Sequence, residues 1–258
     1  MHTYIEIGNY KIPTYGICIM IGIVIANVIA YFIIRKKHMD WNDLIILEAY
    51  AFLGGFIGAK GLYLWVSRNQ IDWSRITDFA YFNQVMRGGF VFYGGLIFGV
   101  LFLMLAGKIH KINSAYYIKE FIFLLPFAHA FGRIGCFMAG CCYGIPYDGI
   151  FSVVFPEGSL APAGIRLFPV QTVEAAGLFI ISLILFFLEI RRKNNYAVEI
   201  YIILYAVLRF VLEYFRYDSY RGKWLIFSTS QWISLIIVVA ISVWIGVRTV
   251  IKKKNTSE

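Results

Sequence analysis

Apolar runs of about 20 residues, each closed by a polar or basic segment, recur along the chain, and that length is what a helix needs to cross the hydrocarbon core of a bilayer. The first covers Tyr15 to Ile34, opens after Pro13 and closes on Arg35-Lys36-Lys37; proline is tolerated where a helix begins. The second, about Leu44 to Trp65, contains Gly54, Gly55, Gly58 and Ala59, small residues that let two helices approach closely. A polar, aromatic loop with Asp72, Trp73, Arg75, Asp78 and Arg87 leads to the third, about Gly89 to Ala106, which ends at Lys108-Ile109-His110-Lys111. The fourth, about Tyr116 to Met138, includes Pro126 and runs into a glycine- and cysteine-rich stretch from Gly132 to Gly144. A loop with Pro146, Pro156, Pro162 and Pro169 follows, too rich in proline for a helix of its own. The remaining runs are Val170 to Ile190, closed by Arg191-Arg192-Lys193, then about Ala197 to Phe215, then about Trp232 to Val250 before Lys252-Lys253-Lys254. The pattern predicts an all-α, polytopic membrane protein with about seven transmembrane helices, built as a single integral membrane domain over residues 1–258.

Composition agrees with that reading and excludes an ordinary soluble domain: 60% of residues are hydrophobic, 18% aromatic and only 15% charged. The net charge of +9 would suit nucleic acid, but the basic residues stand in short clusters at the ends of apolar runs, the pattern that orients membrane proteins. With seven spans, the clusters at 35–37, 108–111, 191–193 and 252–254 share one side, which is then the cytoplasm. The N-terminus lies outside, the C-terminus is cytoplasmic, and the loops at 67–88, 144–168 and 217–230 face outward. Met1 to Thr14 carries polar and charged residues and the first apolar run is long enough to span, so a cleavable signal peptide is not expected.

Charges inside apolar runs are the candidate chemistry. An arginine at membrane depth costs roughly 2.5 to 3.5 kcal/mol on insertion scales, so Arg133 should face a protein interior or wet cavity and hold an anion. In the sixth run Tyr205, Arg209, Glu213 and Arg216 are spaced by four, four and three, which aligns them on one helix face. Glu213 can pair with either neighbour, and together with Arg133 the set is positive, as a phosphate-binding cavity requires. The alternative is an ion-pair network that only fixes helix packing. Gln171 and Glu174 form a short polar face at the start of the fifth run, either as part of the site or as helix-start decoration. Lys60 either adds a phosphate contact or snorkels to the outer surface.

Of four cysteines, Cys18 lies in the first apolar run and reads as a small buried hydrophobe. Cys136, Cys141 and Cys142 lie beside a cation on the side expected to be oxidising, which leaves packing, a disulfide, and nucleophilic or redox chemistry open. Metal binding is less favoured, because the spacing lacks a CxxC pair and no adjacent histidine completes a ligand set.

At these residues the chain resembles the prolipoprotein diacylglyceryl transferases, bacterial membrane enzymes that move a diacylglyceryl group from phosphatidylglycerol to the thiol of a lipobox cysteine. Tyr15-Gly16 opens the first span as in that family, and Gly54-Gly55-Phe56-Ile57-Gly58-Ala59-Lys60 is similar to its glycine patch, with lysine in place of arginine. Arg87-Gly88-Gly89-Phe90-Val91-Phe92-Tyr93-Gly94-Gly95-Leu96 is similar to its Gly-Gly-Xaa-Ser-Phe-His-Gly-Gly-Leu segment. Gly132-Arg133-Ile134-Gly135 with Gly144, Pro169-Val170-Gln171 with Glu174, and the stripe ending in Arg216 complete an ordered set over most of the chain. The departures fall at polar positions: Tyr93 replaces a histidine, Cys136 an asparagine, Cys141 a glutamate and Phe168 a histidine.

The resemblance implies an enzyme of the bacterial plasma membrane that binds phosphatidylglycerol or another anionic phospholipid and the prolipoprotein signal-peptide region, with no cofactor, no metal and no nucleic acid. It implies Arg133 and Arg209 on the departing phosphate and Tyr93 or Glu213 as proton acceptor, since the acceptor thiol must become a thiolate. Substrate contacts would come from Arg216, Tyr205, Tyr15, Lys60, Gln171, Gly94, Gly95, Gly144, Cys136 and Cys141. Because the arginines persist while other polar positions change, two further readings stay open. One is a membrane thiol oxidoreductase, the other a non-catalytic lipid-binding or transport protein on the same fold.

Overall fold

The structure, a computed structural model, describes residues 3–8, 10–191, 196–217 and 223–255. Arg192 and Lys193 of one expected basic cluster, and residues 218–222 of an expected outer loop, lie outside them. The chain divides into two compact units, Met1–Phe32 with Lys119–Glu258, and Ile33–Ile118.

The first unit begins with a hairpin, β1 (Tyr4–Ile7) antiparallel to β2 (Tyr10–Pro13), which opens directly into α1 (Thr14–Lys37). Thr14 ties the helix start to the hairpin, its amide and hydroxyl both donating to the Thr3 carbonyl at 3.1 and 3.0 Å. Met20, Val24, Val28 and Phe32, at helical spacing, point outward, as lipid-facing residues do.

The fourth apolar run is not one helix. It forms α5 (Ser114–Phe121) and α6 (Leu124–Ala139), bent by 58° at the break. Pro126 explains this: it sits in the first turn of α6, where a missing amide is harmless, but its ring would clash with the carbonyl of Ile122 in a continuous helix. The break exposes backbone polar groups that hydrocarbon cannot satisfy. Ser182 answers one of them, its hydroxyl donating to the Phe123 carbonyl at 2.8 Å.

α7 (Val170–Ile190) matches the expected fifth span and packs on α6 through Ala130, Ala175 and Leu178, with Ile134, Phe179, Tyr205 and Leu208 around them. α8 (Ala197–Glu213) and α9 (Thr229–Asn255) follow, each packed on its predecessor. The proline-rich loop folds as a cap: β3 (Val153–Val154) pairs with β4 (Arg166–Leu167), and Phe155, Ala161 and Leu167 bury themselves with Phe137 and Tyr143 around them. A short ribbon of β5 (Lys223–Trp224) and β6 (Phe227–Ser228) precedes α9.

The second unit is built on α2 (Trp41–Val66) against α4 (Phe92–Ile109), with the amphipathic α3 (Phe79–Arg87) between them in sequence. Asp40 and Asp78 cap α2 and α3, and Asp72 caps a single 3-10 turn at Trp73–Arg75, by accepting from the amides of Asn42, Ala80 and Ser74 at 2.8, 2.9 and 3.1 Å respectively. A β-carbon on Gly58 would run into the Gly94 carbonyl and the Phe98 side chain, and one on Gly94 into the Gly58 carbonyl. Gly58→Leu should therefore cost about 1–3 kcal/mol of stability, the usual cost of overpacking. Thermal unfolding in detergent reads this directly, and an unchanged transition would mean that the close helix approach has been misplaced.

Among the described residues, five helices are long and apolar enough to cross a membrane, and the bent α5/α6 pair makes a sixth if it is one broken span. The expected sixth span is the exception. It forms α8, whose 17 residues fall short of that length and include Glu199, Arg209 and Glu213.

Candidate active site

The polar residues of the first unit converge because α6, α7 and α8 meet through small or apolar side chains. On α6, His129, Arg133 and Cys136 follow spacings of four and three and share a face. Across the α6–α7 seam, Arg133 Nη2 lies 3.0 Å from Glu174 Oε1, with the carboxylate only 1% exposed. Arg216 Nη1 approaches the other oxygen of Glu174 at 3.9 Å, so one buried carboxylate lies between two guanidinia. On α8, Arg209 Nη2 meets Glu213 Oε2 at 2.7 Å and donates to Ser230 Oγ at 3.5 Å, while Ser228 Oγ donates to Glu213 Oε1 at 3.0 Å. Tyr205 hydrogen-bonds Arg133, and its ring lies 5.3 Å from that of His129.

Among the described residues, the guanidinia of Arg133, Arg209 and Arg216 gather around the carboxylates of Glu174 and Glu213. The hydrogen bonding is incomplete. Among the described residues, Arg133 Nε, Arg209 Nη1 and Gln171 Oε1 are buried without a hydrogen-bond partner, and Glu174 meets its guanidinia by charge without hydrogen-bond geometry. Unsatisfied buried donors are uncommon in native structures. An anion with several acceptor oxygens, such as a phosphate, matches the spare donors.

Arg216 reaches this site by a different route from the one its spacing implied. α8 ends at Glu213, so Arg216 is not on the helix face with Arg209. It is held by backbone instead: Gly144 and Arg216 form an antiparallel bridge, Ile145 N donates to Phe215 O at 3.0 Å, and Tyr217 N donates to Tyr143 O at 3.3 Å. Gly144 is required by this approach, since a β-carbon there would meet the carbonyls of Phe168 and Phe215. Gly144→Val should displace Arg216 and cost about 1–3 kcal/mol, with phospholipid affinity falling alongside the unfolding temperature; retention of both would show that Arg216 does not depend on the bridge.

Gln171, 1% exposed, donates through Nε2 to the Cys141 carbonyl at 2.8 Å and so orders the loop after α6. Gly140 ends α6 in the left-handed region at φ 72°, Cys141 N returns to Cys136 O at 3.1 Å, and Cys142 is itself left-handed at φ 56°. Hydrogen bonds from the Cys136 and Cys141 thiols, followed by the Arg216 guanidinium, hold the Cys142 thiol well below the ordinary thiol range. Tyr15, at the start of α1, lies within electrostatic range of these three thiols and of Arg133.

The other expected site residues belong to the second unit. Lys60 does not snorkel: it is 4% exposed, and Nζ donates to the carbonyls of Val85, Gly88 and Gly89 at 3.0, 3.2 and 3.5 Å, over the rings of Tyr63 and Phe90. Its three protons thus hold the α3–α4 connection, so the local geometry gives no support to a phosphate contact. Gly94 and Gly95 serve the contact of α4 with α2. Tyr93, in the first turn of α4, is half-exposed and stands edge-on to Phe92 at 5.8 Å.

His129 was hidden in the apolar run, although its four-residue spacing from Arg133 was a usable signal.

The family model for prolipoprotein diacylglyceryl transferase matches residues 2–247. Among curated relatives, the phosphatidylglycerol–prolipoprotein diacylglyceryl transferase 2 of Clostridium perfringens is 32% identical, with 98% of this chain and 97% of the relative aligned. The Clostridium tetani transferase of the same substrates is 31% identical over 91% of this chain and 92% of its own length. That of Pasteurella multocida is 28% identical over 82% and 77%. With its ordered motifs, buried arginine–carboxylate cluster and a match over nearly its whole length, the chain belongs to the prolipoprotein diacylglyceryl transferase family.

Proposed function

We propose that the protein transfers a diacylglyceryl group from phosphatidylglycerol to the thiol of a lipobox cysteine in the signal-peptide region of a prolipoprotein, in a bacterial plasma membrane. The observation that carries this reading is the buried cluster of guanidinia with donors left unpaired at Arg133 Nε and Arg209 Nη1. A carbon–sulfur bond forms at the glyceryl carbon as the carbon–oxygen bond to phosphate breaks, the thiol proton passes to a base, and glycerol phosphate departs. Negative charge grows on the phosphate oxygens, so donors fixed around it favour the transition state over the bound lipid. Arg133 and Arg209 serve the departing phosphate, and Arg216 and Tyr205 orient the head group. Glu213 and His129 are the proton acceptors within the same unit. We further propose that α8 is a seventh crossing, which puts the amino terminus outside and the basic clusters in the cytoplasm.

The test is direct. Purified protein in detergent with phosphatidylglycerol and a lipobox peptide should add a diacylglyceryl mass to the peptide thiol and release glycerol phosphate in equal amount. Lipid binding without either product would sink the reading in favour of a non-catalytic lipid binder.

A further inference from the structure

The proposed transfer assigns no role to the three sulfurs beside the arginines. Among the described residues, Sγ of Cys136, Cys141 and Cys142 all lie within 4.8 Å of one another, and each is a free thiol. The sequence spacing gave little hint of this, since Cys136 is helical and the other two are not. The backbone brings them together. Gly140 turns the chain in the left-handed region, Cys141 N folds back to the Cys136 carbonyl, and Gln171 clamps the Cys141 carbonyl from α7. Cys142 then takes φ 56°, a conformation that costs a residue with a β-carbon about 1–3 kcal/mol. Packing alone does not call for that strain, because a small side chain fills space without it. What the strain does achieve is a third sulfur facing the other two.

We propose that Cys136, Cys141 and Cys142 form a three-thiolate site for a thiophilic divalent cation, Zn2+ being the representative ion. Zinc–sulfur bonds of about 2.3 Å place neighbouring sulfurs about 3.8 Å apart, inside the spacing of this cluster, so side-chain adjustment suffices to close the shell. Thiolate ligands select zinc and other soft ions over magnesium or calcium. Three thiolates on a divalent ion leave one negative charge, and Arg216, hydrogen-bonded to Cys142, with Arg133 close by, compensates it. Three protein ligands leave a fourth position for water or an external thiol. The site stands on its own geometry and does not depend on the transfer reaction.

The reduced, metal-free full chain in detergent should develop thiolate-to-cobalt charge-transfer absorption when titrated with Co2+, saturating at one ion per chain and displaced by Zn2+. Zinc should also protect three thiols from a thiol reagent. Cys136→Ser and Cys142→Ser should each abolish the band, while Cys18→Ser, in α1, should leave it intact. The wild-type titration decides the matter even where a serine variant fails to fold. A wild-type protein without the cobalt–thiolate band overturns the proposal, as does a band that survives in Cys136→Ser or a disulfide within the trio that persists in anaerobically prepared protein.

Discussion

Arg133→Gln should slow diacylglyceryl transfer by about 10²–10³-fold, the usual cost of removing one fixed donor from a developing oxyanion. The side chain is nearly buried, touches Glu174 at 3.0 Å and has Nε unpaired, so the glutamine removes both a charge and a spare donor. Arg133→Lys restores charge without the planar fork and should recover only part of the rate. The two variants separate chemistry from scaffolding. If glutamine and lysine lower the rate equally while the unfolding temperature drops in step, Arg133 is only an ion-pair partner. A rate loss larger in glutamine than in lysine, with stability matched, assigns it to the phosphate.

Glu174→Gln should produce the largest loss of stability, about 3–5 kcal/mol, because removing one member of a buried ion pair strands its partner. Here Arg133 loses its close carboxylate partner, and Arg216 loses the charge facing it at 3.9 Å. The exposed pair of Glu6 and Lys11 at 3.1 Å supplies the contrast: its side chains are 66% and 70% exposed, and Glu6→Gln should change stability by no more than about 1 kcal/mol. Thermal unfolding of both variants in the same detergent makes the comparison. Inorganic phosphate should recover part of the Glu174→Gln loss by supplying an anion to the two guanidinia. Equal, small losses for both variants would refute the buried cluster.

How far the sequence anticipated this molecule depends on the range of the interactions involved. Hydropathy located the apolar elements, and Val170 to Ile190 emerged with the bounds expected for it. The four-residue spacing of Arg209 and Glu213 gave a real ion pair because both lie within one helix. Arg216 misled, since helical spacing holds only while the helix continues and α8 stops at Glu213. The partnership of Arg133 with Glu174 joins two helices and has no local signature; only the packing of Ala130 on Ala175 and Leu178 creates it. Pro126 was visible, but a hydropathy window averages across a break, so the bend between α5 and α6 did not register. Lys60 read as an exposed or ligand-binding cation because sequence does not reveal that the carbonyls after α3 converge on its ammonium.

That bend bears on how a lipid reaches the arginines. Beyond the bend, α6 has 16 residues and so covers about 24 Å, less than the roughly 30 Å of a hydrocarbon core that the α5/α6 pair would cross together. Where a helix falls short, the bilayer thins around it or polar protein occupies the missing depth, and here the folded cap begins where α6 ends. If Arg133 holds the phosphate as proposed, a head group moving laterally toward it crosses less hydrocarbon than it would beside a full-length helix. On that proposal, lengthening α6 by one turn should slow lipid entry even with every arginine in place.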